Sequence, residues 1–226
     1  MMDPTQEKYL EEKCLLVDNQ DNVVGEATKR QCHLVSENGD ILLHRAFSVF
    51  LFNSKGELLI QKRSHTKITY PNKYTNSCCS HPLADIAEEI ESKDIVGIKK
   101  AALRKLNHEL GIEPDKLSLD DLIYVTRIHY KDSGDGTFGE HEIDYIIFIK
   151  KDLDVKPNPN EVSDAIYVSL NRFDQFLSEV GDDELTPWFK MIFKKKLLAL
   201  WWKNLDYIDK YMDHKNILKL DMNDNL

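Results

Sequence analysis

Hydrophobic and polar residues follow two different periods along the chain, and together they predict short strands interleaved with helices. Short apolar runs bounded by turn-forming residues are typical of strands. The predicted strands are Lys13–Val17, Val23–Thr28, Ile41–Phe52, Leu58–Arg63, Leu122–Tyr130, Glu142–Ile149 and Ala165–Val168. The polar segment 18–22 between the first two strands predicts that they form a hairpin.

Three other segments have helical spacing. Apolar residues recur every three to four positions from Asp94 to Leu110, and Gly111 follows where a C-cap glycine belongs. Arg172–Val180 predicts a second helix, and Pro187 opens a third one that we expect to run through Trp202. Because strands and helices do not alternate as in a parallel barrel, the predicted fold class is α/β (α+β), a mixed β-sheet flanked by helices.

The composition excludes several classes of protein. Of 226 residues, 42% are hydrophobic and 31% are charged, which is typical of an ordinary globular protein. No apolar run reaches the roughly 18–20 residues of a membrane helix. The net charge of −9 argues against a nucleic-acid partner, yet residues 29–67 alone carry +4. That basic segment favours a small anionic ligand, although solvated surface charges are the alternative.

The expected location is the cytoplasm. The first residues lack the apolar core of a secretory signal, and four cysteines are too few for a disulfide scaffold, so we expect reduced thiols. The C-terminal segment 219–226 has no Ser-Lys-Leu peroxisomal ending. This favours the cytosol without excluding the peroxisome.

Five residues form a candidate metal site. Glu140 and Glu142 lie two apart on a predicted strand, so both side chains leave the same face. With His33, His44 and His81 they offer three imidazoles and two carboxylates, a mixed set suited to zinc, manganese or iron. From spacing alone, satisfied structural histidines and solvated glutamates are the simpler interpretation.

Two further segments could carry chemistry. Cys79 lies two residues before His81, and a cysteine near cationic groups can transfer protons, although a small buried hydrophobe is the alternative. Residues 104–112 resemble the end of a Nudix box, the helix of diphosphate hydrolases. The matching residues are Arg104, Leu106, Glu109, Gly111 and Ile112. Lys105 and His108 stand where that family has glutamates, so the segment indicates the fold and not hydrolysis.

The motifs together resemble the type I isopentenyl-diphosphate isomerases, which have a Nudix fold. The resemblance runs from about Cys14 to about His214 and rests on four segments. These are residues 42–48 (LLHRAFS), 74–82 (YTNSCCSHP), 139–145 (GEHEIDY) and 186–188 (TPW). It implies an N-terminal extension with a hairpin (1–40), a Nudix-like catalytic domain (41–200) and a C-terminal helical extension (201–226). The implied reaction converts isopentenyl into dimethylallyl diphosphate through a tertiary carbocation, in isoprenoid and sterol biosynthesis.

The resemblance also implies the role of each site residue. Cys79 and Glu142 would transfer protons on opposite faces of the substrate, with Tyr130 assisting the glutamate, and Trp188 would cover the hydrocarbon tail. The implied diphosphate-binding residues are Lys29, Arg63, Lys67 and Ser80. The implied ligands of one ion, zinc first and manganese as the alternative, are His33, His44, His81, Glu140 and Glu142. Glu109 would hold a magnesium ion (Mg2+) that accompanies the diphosphate.

Two alternative functions compete with isomerisation. One is a Nudix-type diphosphate hydrolase, and the other is a catalytically inactive relative that only binds diphosphates. We expect a small allylic or homoallylic diphosphate as partner, no nucleic acid, no membrane span, and a monomer or weak dimer. The segment before Cys14 is either a flexible arm or a lid over the site.

Overall fold

A mixed ten-stranded sheet with helices on both faces organises the chain, and the computed structural model describes residues 3–221. The strands are β1 (Lys13–Val17), β2 (Val23–Thr28), β3 (His44–Phe52), β4 (Leu58–Arg63), β5 (Tyr74–Thr75), β6 (Cys78–Ser80), β7 (Ile123–Asp132), β8 (Glu140–Lys150), β9 (Val162–Val168) and β10 (Asp213–Lys219). The α-helices are α1 (Pro4–Tyr9), α2 (Lys29–His33), α3 (Val96–Leu110), α4 (Leu170–Val180), α5 (Pro187–Lys194) and α6 (Leu197–Lys203). Short 3-10 helices are Ala87–Glu89, Lys93–Ile95, Pro114–Lys116, Leu119–Asp121, Asp182–Glu184 and Leu205–Tyr211. The predicted fold class is confirmed.

Strands β3 and β8 form the centre of the sheet. The main path runs β10-β7-β8-β3-β1-β2, while β4 and β6 also pair with β3, and β9 and β5 pair with β4. Pairs β3–β8 and β10–β7 are parallel, and the other ladders are antiparallel. The predicted hairpin of β1 and β2 is present, and its first strand joins β3.

The two faces of the sheet bury separate cores. Along β3, Phe47, Val49 and Leu51 pack in the core that includes α3, whereas Phe50 and Phe52 pack in the aromatic core of α4, α5 and α6. All nine residues of β3 are buried, as expected of a strand covered on both faces.

Helix α3 ends as its sequence predicts. Gly111 has φ +63 and donates its N–H to Asn107 O at 2.9 Å. A Cβ at this position would lie 2.6 Å from Lys156 O, so the close approach of that loop also requires glycine.

The predicted helix from Pro187 through Trp202 is wrong, because the chain forms two helices. Lys196 between them adopts a left-handed conformation with φ +60. Uninterrupted helical spacing would place Lys195 on the face shared by Met191 and Leu198, both buried in the aromatic core. The break lets α5 and α6 bury their apolar faces separately.

The C-terminal region is helical only in part, which corrects the prediction of a helical extension at 201–226. After the 3-10 helix Leu205–Tyr211, β10 pairs in parallel with β7. Residues 1–2 and 222–226 lie outside the described residues. The prediction about the peroxisomal ending falls on the second of these segments. Among residues 3–221, no helix is long and apolar enough to cross a membrane.

We predict that the break between α5 and α6 makes glycine favourable at position 196. A left-handed conformation costs a residue with a Cβ about 1–2 kcal/mol, so Lys196→Gly should raise the free energy of unfolding by about 1 kcal/mol. Ala199→Gly, inside α6, should lower it by about 1 kcal/mol. Urea denaturation of both variants measures this, and destabilisation by Lys196→Gly would contradict the break.

Candidate active site

Ten of the predicted site residues line one cavity at the amino-terminal end of β8. They are Lys29, His33, Arg63, Lys67, Cys79, Ser80, His81, Glu140, Glu142 and Trp188. His44 and Tyr130 lie directly behind the cavity wall, where their side chains contact Glu142. Glu109 lies apart from this group, in α3. The structure thus brings together side chains that are up to 159 positions apart in the sequence.

Sheet register sets the relative positions of the central groups. His44 at the start of β3 pairs with Glu142 in β8, and Tyr130 in β7 pairs with the same glutamate from the other side. Cys79 in β6 pairs with Ser48 of β3. The neighbouring strands β6, β3, β8 and β7 therefore bring these four side chains together.

Three histidine rings and two glutamates form a compact buried cluster. The ligand atoms of His33, His44, His81, Glu140 and Glu142 all lie within 4.8 Å of one another. The three ring centroids are 4.7–5.1 Å apart. His33 Nε2 lies 2.9 Å from Glu140 Oε2, and His81 Nε2 lies 2.8 Å from Glu142 Oε1.

The cluster has the donor set and orientation of a metal site. His33 Nδ1 is 2.7 Å from Lys29 O, and His44 Nδ1 is 2.8 Å from Leu42 O. These carbonyls accept from Nδ1–H, so the Nε2 atom of each ring is the one that faces the cluster. Within the described part of the chain, His44 Nε2 and Glu140 Oε2 are buried without a hydrogen-bond partner. A divalent cation is the partner that such a set of atoms fits.

Glu142 contacts three side chains of the site. Tyr130 Oη donates a hydrogen bond to its Oε2 at 2.5 Å, while Oε1 faces His81 and His44. Burial alone would raise the pKa of Glu142, but His44 and Tyr130 hold that pKa below its usual value. Burial lowers the pKa of His44, yet the Glu142 carboxylate outweighs it and raises the pKa to about 9.

Cys79 lies in a polar pocket beside the cluster. Its Sγ donates to Asn76 Oδ1 at 3.0 Å and lies 3.7 Å from Ser48 Oγ. Ser48 in turn donates to Asp144 Oδ2 at 2.7 Å. Burial, followed by the nearby Asp144, raises the pKa of Cys79 to about 12. The thiol is therefore protonated at neutral pH.

Trp188 forms an aromatic wall of the cavity at the start of α5. Its ring meets Tyr70 edge to face at 5.5 Å between centroids, and Tyr130 lies 6.0 Å away. The guanidinium of Arg63 lies 5.7 Å from the ring centroid. Arg63 also donates to the carbonyl oxygens of Thr69 and Tyr70, which holds the following loop against the cavity.

The basic residues predicted to bind diphosphate are partly paired within the protein. Lys67 Nζ lies 2.5 Å from Glu161 Oε2, and the glutamate is buried while the lysine is partly buried. Burial, opposed by the charge of Glu161, lowers the pKa of Lys67. Lys29 and Ser80 reach the same cavity from α2 and β6. Their role in binding diphosphate stays a prediction.

Glu109 is paired with Lys105 and does not belong to the histidine cluster. The Lys105 ammonium lies 3.2 Å from Glu109 Oε1, and Gln61 Nε2 donates to Oε2 at 3.3 Å. Burial would raise the pKa of Glu109, but Lys105 and Lys67 lower it, so this carboxylate is ionised. The contact between Glu109 and Mg2+ stays a prediction.

The N-terminal segment contributes three residues to the cavity wall, which the sequence alone did not predict. Gln6, Tyr9 and Leu10 line it. Gln6 is buried and donates to Glu161 Oε1, and Tyr9 Oη lies 2.9 Å from His108 Nε2. Asp3 before Pro4 was the available signal, because an acidic N-cap followed by proline marks a helix start.

Comparison with known proteins decides the family. The NUDIX domain model matches residues 42–189. The isopentenyl-diphosphate Delta-isomerase 1 proteins of Mesocricetus auratus and Mus musculus are each 45% identical over 221 residues, which cover 97% of this chain and 96% of the relative. The isopentenyl-diphosphate Delta-isomerase I of Camptotheca acuminata is 46% identical and covers 95% of this chain and 92% of its own. The chain belongs to the isopentenyl-diphosphate Delta-isomerase family.

Solved structures support the fold of this family member independently. A protein of Deinococcus radiodurans superposes with a TM-score of 0.53 at 21% identity, covering 74% of this chain and 90% of its own. A NUDIX hydrolase from Alicyclobacillus acidocaldarius also gives 0.53, at 12% identity, covering 71% and 96%. The resemblance inferred from the four motif segments is confirmed, and so is the Nudix fold.

We predict that zinc stabilises the protein through the histidine cluster. At 100 times its dissociation constant, a ligand adds about 2.7 kcal/mol to the free energy of unfolding. For a chain of this size that is a rise in Tm of about 5–10 °C. His81→Ala should lose most of the rise, whereas His129→Ala, outside the cluster, should keep it. Thermal unfolding of each variant with and without Zn2+ measures this rise. An equal rise in Tm in the two variants would show that zinc binds outside the cluster.

Proposed function

We propose that the chain isomerises isopentenyl diphosphate to dimethylallyl diphosphate by adding one proton to the substrate and removing another. The observation that carries this proposal is one cavity with two different proton-transfer groups, Cys79 from β6 and Glu142 from β8, beside the aromatic wall of Trp188. Family membership supports the same reaction. This conversion moves a double bond and leaves the diphosphate intact.

The two groups perform a balanced proton exchange. One adds a proton to the terminal alkene carbon, which leaves a tertiary carbocation, and the other removes a proton from the carbon next to the diphosphate-bearing carbon. Each acts as the acid in one direction and as the base in the other. Tyr130, hydrogen-bonded to Glu142, positions that carboxylate and can pass a proton to it.

Trp188 supplies stabilisation for the carbocation. An aromatic face attracts a desolvated cation by on the order of 2 kcal/mol, which corresponds to about a 30-fold effect on rate. Trp188 is 3% exposed, and a wall with so little contact with solvent would help to keep out the water that captures the cation.

The cluster fits a divalent transition metal, with zinc as the first candidate and manganese as the alternative. His33, His44, His81, Glu140 and Glu142 would hold it. When bound, the ion supplies a fixed positive charge that lowers the proton affinity of the Glu142 carboxylate and holds that carboxylate in one orientation.

The diphosphate would lie at the basic side of the cavity, against Lys29, Arg63, Lys67 and Ser80. Mg2+ accompanying it would contact Glu109. The pairs Lys67–Glu161 and Lys105–Glu109 keep this region from carrying unpaired buried charge before the substrate binds.

A Nudix hydrolase would need glutamates at two positions of the Nudix box where this chain has Lys105 and His108. Lys105 is paired with Glu109, and His108 bonds Tyr9, so neither Nudix-box position supplies a metal ligand. An inactive relative would have no need for the complete cavity. We therefore favour isomerisation.

The test is proton NMR of isopentenyl diphosphate incubated with the protein in D2O with Mg2+. We expect deuterated dimethylallyl diphosphate without phosphate release, because the transferred proton comes from exchangeable groups. Cys79→Ala should reduce turnover by about 10²–10⁴-fold, the usual contribution of an acid–base group. Cys78→Ala, the neighbouring buried thiol, is the matched control.

Three outcomes would contradict the proposal. Released phosphate would indicate a hydrolase, and an unchanged substrate with a metal-loaded protein would indicate a binding relative. Substantial turnover by Cys79→Ala would remove the thiol from proton transfer while leaving the isomerase assignment intact.

We predict that Lys67 contributes more to substrate binding than to chemistry. Lys67→Met should raise KM by about tenfold, the value of one charge-assisted contact of about 1.4 kcal/mol, with little change in kcat. Because this variant leaves Glu161 unpaired, Lys67→Met/Glu161→Gln is the matched control. Steady-state kinetics of both should show the same rise in KM. Restoration of KM in the double variant would show that the unpaired carboxylate, and not a lost diphosphate contact, caused the effect.

A further inference from the structure

The buried side chain of Asn76 joins two cavity residues that the proposed mechanism treats separately. Asn76 lies between β5 and β6 and is 0% exposed. Its Oδ1 accepts a hydrogen bond from Cys79 Sγ at 3.0 Å and another from Trp188 Nε1 at 3.0 Å. One oxygen therefore contacts both the proposed proton-transfer thiol and the proposed cation-facing ring.

The orientation of this amide is fixed by the sheet. Asn76 Nδ2 donates to Val49 O at 3.0 Å and to Cys78 O at 3.1 Å. Backbone carbonyls only accept, so the NH2 group must face them and Oδ1 must face the cavity side. Because Val49 belongs to β3 and Cys78 to β6, the oxygen holds a position that the central strands determine.

The same oxygen fastens the start of α5. Thr75 Oγ1 donates to Asn76 Oδ1 at 2.9 Å and accepts from Thr186 Oγ1 at 2.7 Å. Thr186 is the N-cap residue of α5, and its N–H donates to Tyr74 O at 2.9 Å. The helix that carries Trp188 is thus tied to the segment that carries Cys79, with Asn76 at the junction.

Three donors compete for one carbonyl oxygen, which has two lone pairs. A thiol is the weakest donor of the three, so the hydroxyl of Thr75 and the indole of Trp188 are held more firmly. Cys79 Sγ also lies 3.7 Å from Ser48 Oγ and 3.8 Å from Thr75 Oγ1. The sulfur is therefore aligned by Asn76, while its proton is the one most readily turned towards the cavity.

We infer that Asn76 is a positioning residue, which sets the distance and angle between the Cys79 thiol and the Trp188 ring through its single Oδ1 atom. The inference rests on the roles proposed above for these two residues. Among residues 3–221, the side chains that donate to Asn76 Oδ1 are those of Thr75, Cys79 and Trp188 and none of the proposed diphosphate-binding residues, so substrate affinity should be independent of this oxygen. Misplacement of a reacting group by about 1 Å can cost about 100-fold in rate.

The main experiment is steady-state kinetics of Asn76→Leu, which has a similar volume and no polar side-chain atoms. We expect kcat to fall by about 10–100-fold while KM for isopentenyl diphosphate stays within about threefold. Partial unfolding would also lower the apparent kcat at an unchanged KM, so kcat must be expressed per amount of folded protein. Thermal unfolding and circular dichroism establish that the variant measured is folded.

Two further variants separate the donors. Thr75→Val removes a donor that also helps to fasten α5, and its kcat should fall by less than that of Asn76→Leu, because Asn76 Oδ1 still accepts from the thiol and the indole. Trp188→Phe keeps a ring and removes the indole N–H. In the Trp188→Phe background, Asn76→Leu should cost less than it does alone, because part of its effect acts through that N–H.

If Asn76→Leu does not fold, the indole resonances of the intact protein test the same contact. The Nε1–H signal of Trp188 is the one lost in Trp188→Phe. It should move in Thr75→Val, because the two donors share Asn76 Oδ1, while the signals of Trp201 and Trp202 should not. A Trp188 signal that stays in place would overturn the inference.

The kinetic outcomes distinguish this inference from the mechanism beneath it. If Trp188→Phe and Cys79→Ala both keep the wild-type kcat, the proposed roles fail and the inference fails with them. If those variants lose activity but Asn76→Leu keeps the wild-type kcat, only the inference fails. Equal losses in Thr75→Val and Asn76→Leu would also overturn it, because the effect would then follow the network and not the two reacting groups.

Discussion

The buried carboxylate of Glu142 is the constraint on which the rest of the site depends. An ionised carboxylate removed from water is costly unless charged groups and hydrogen bonds surround it. Glu142 obtains them from Tyr130 in β7, from His44 in β3 and from His81 after β6. Three chain segments must therefore be in place together, and loss of any one would leave a buried charge poorly paired.

Strand pairing satisfies this constraint because residue spacing along a strand is fixed. The parallel register of β3 and β8 places His44 beside Glu142, and the antiparallel register of β7 and β8 places Tyr130 on its other side. A slip of one residue would turn these side chains to the opposite face of the sheet. The buried apolar faces of β3 and β8 resist such a slip, because it would exchange the two cores.

The cavity combines two electrostatic environments that suit the two ends of the proposed substrate. One is the histidine–glutamate cluster, and the other is formed by the basic side chains of Lys29, Arg63 and Lys67 that line the same cavity. Lys67 and Lys105 are each paired with a buried glutamate, so the basic region is neutralised in part by the protein itself. In the same cavity, Trp188 and Cys79 are joined through Asn76, which gives the apolar part of the cavity a rigid polar support.

Elements with strong local signals could be predicted from the sequence alone. The β1–β2 hairpin and α3 with its cap at Gly111 follow from periodicity and turn residues. The histidines and glutamates of the buried cluster were singled out through the family resemblance of short motifs, because their spacing alone favours structural roles. Membership of the isomerase family could likewise be inferred from those motifs, because they are contiguous in the chain. Local signals suffice where neighbouring residues alone decide the conformation.

Features that depend on residues far apart in the chain could not be predicted in this way, because they follow from the packing of the whole fold. The break at Lys196 follows from how α5 and α6 pack on the aromatic core, and β10 forms a strand because β7 offers it an edge. The pairing of Lys67 with Glu161 and the convergence of three donors on Asn76 likewise join segments far apart in sequence. Such contacts leave no periodic trace, because one buried polar atom is satisfied by whichever element the fold brings within hydrogen-bond distance.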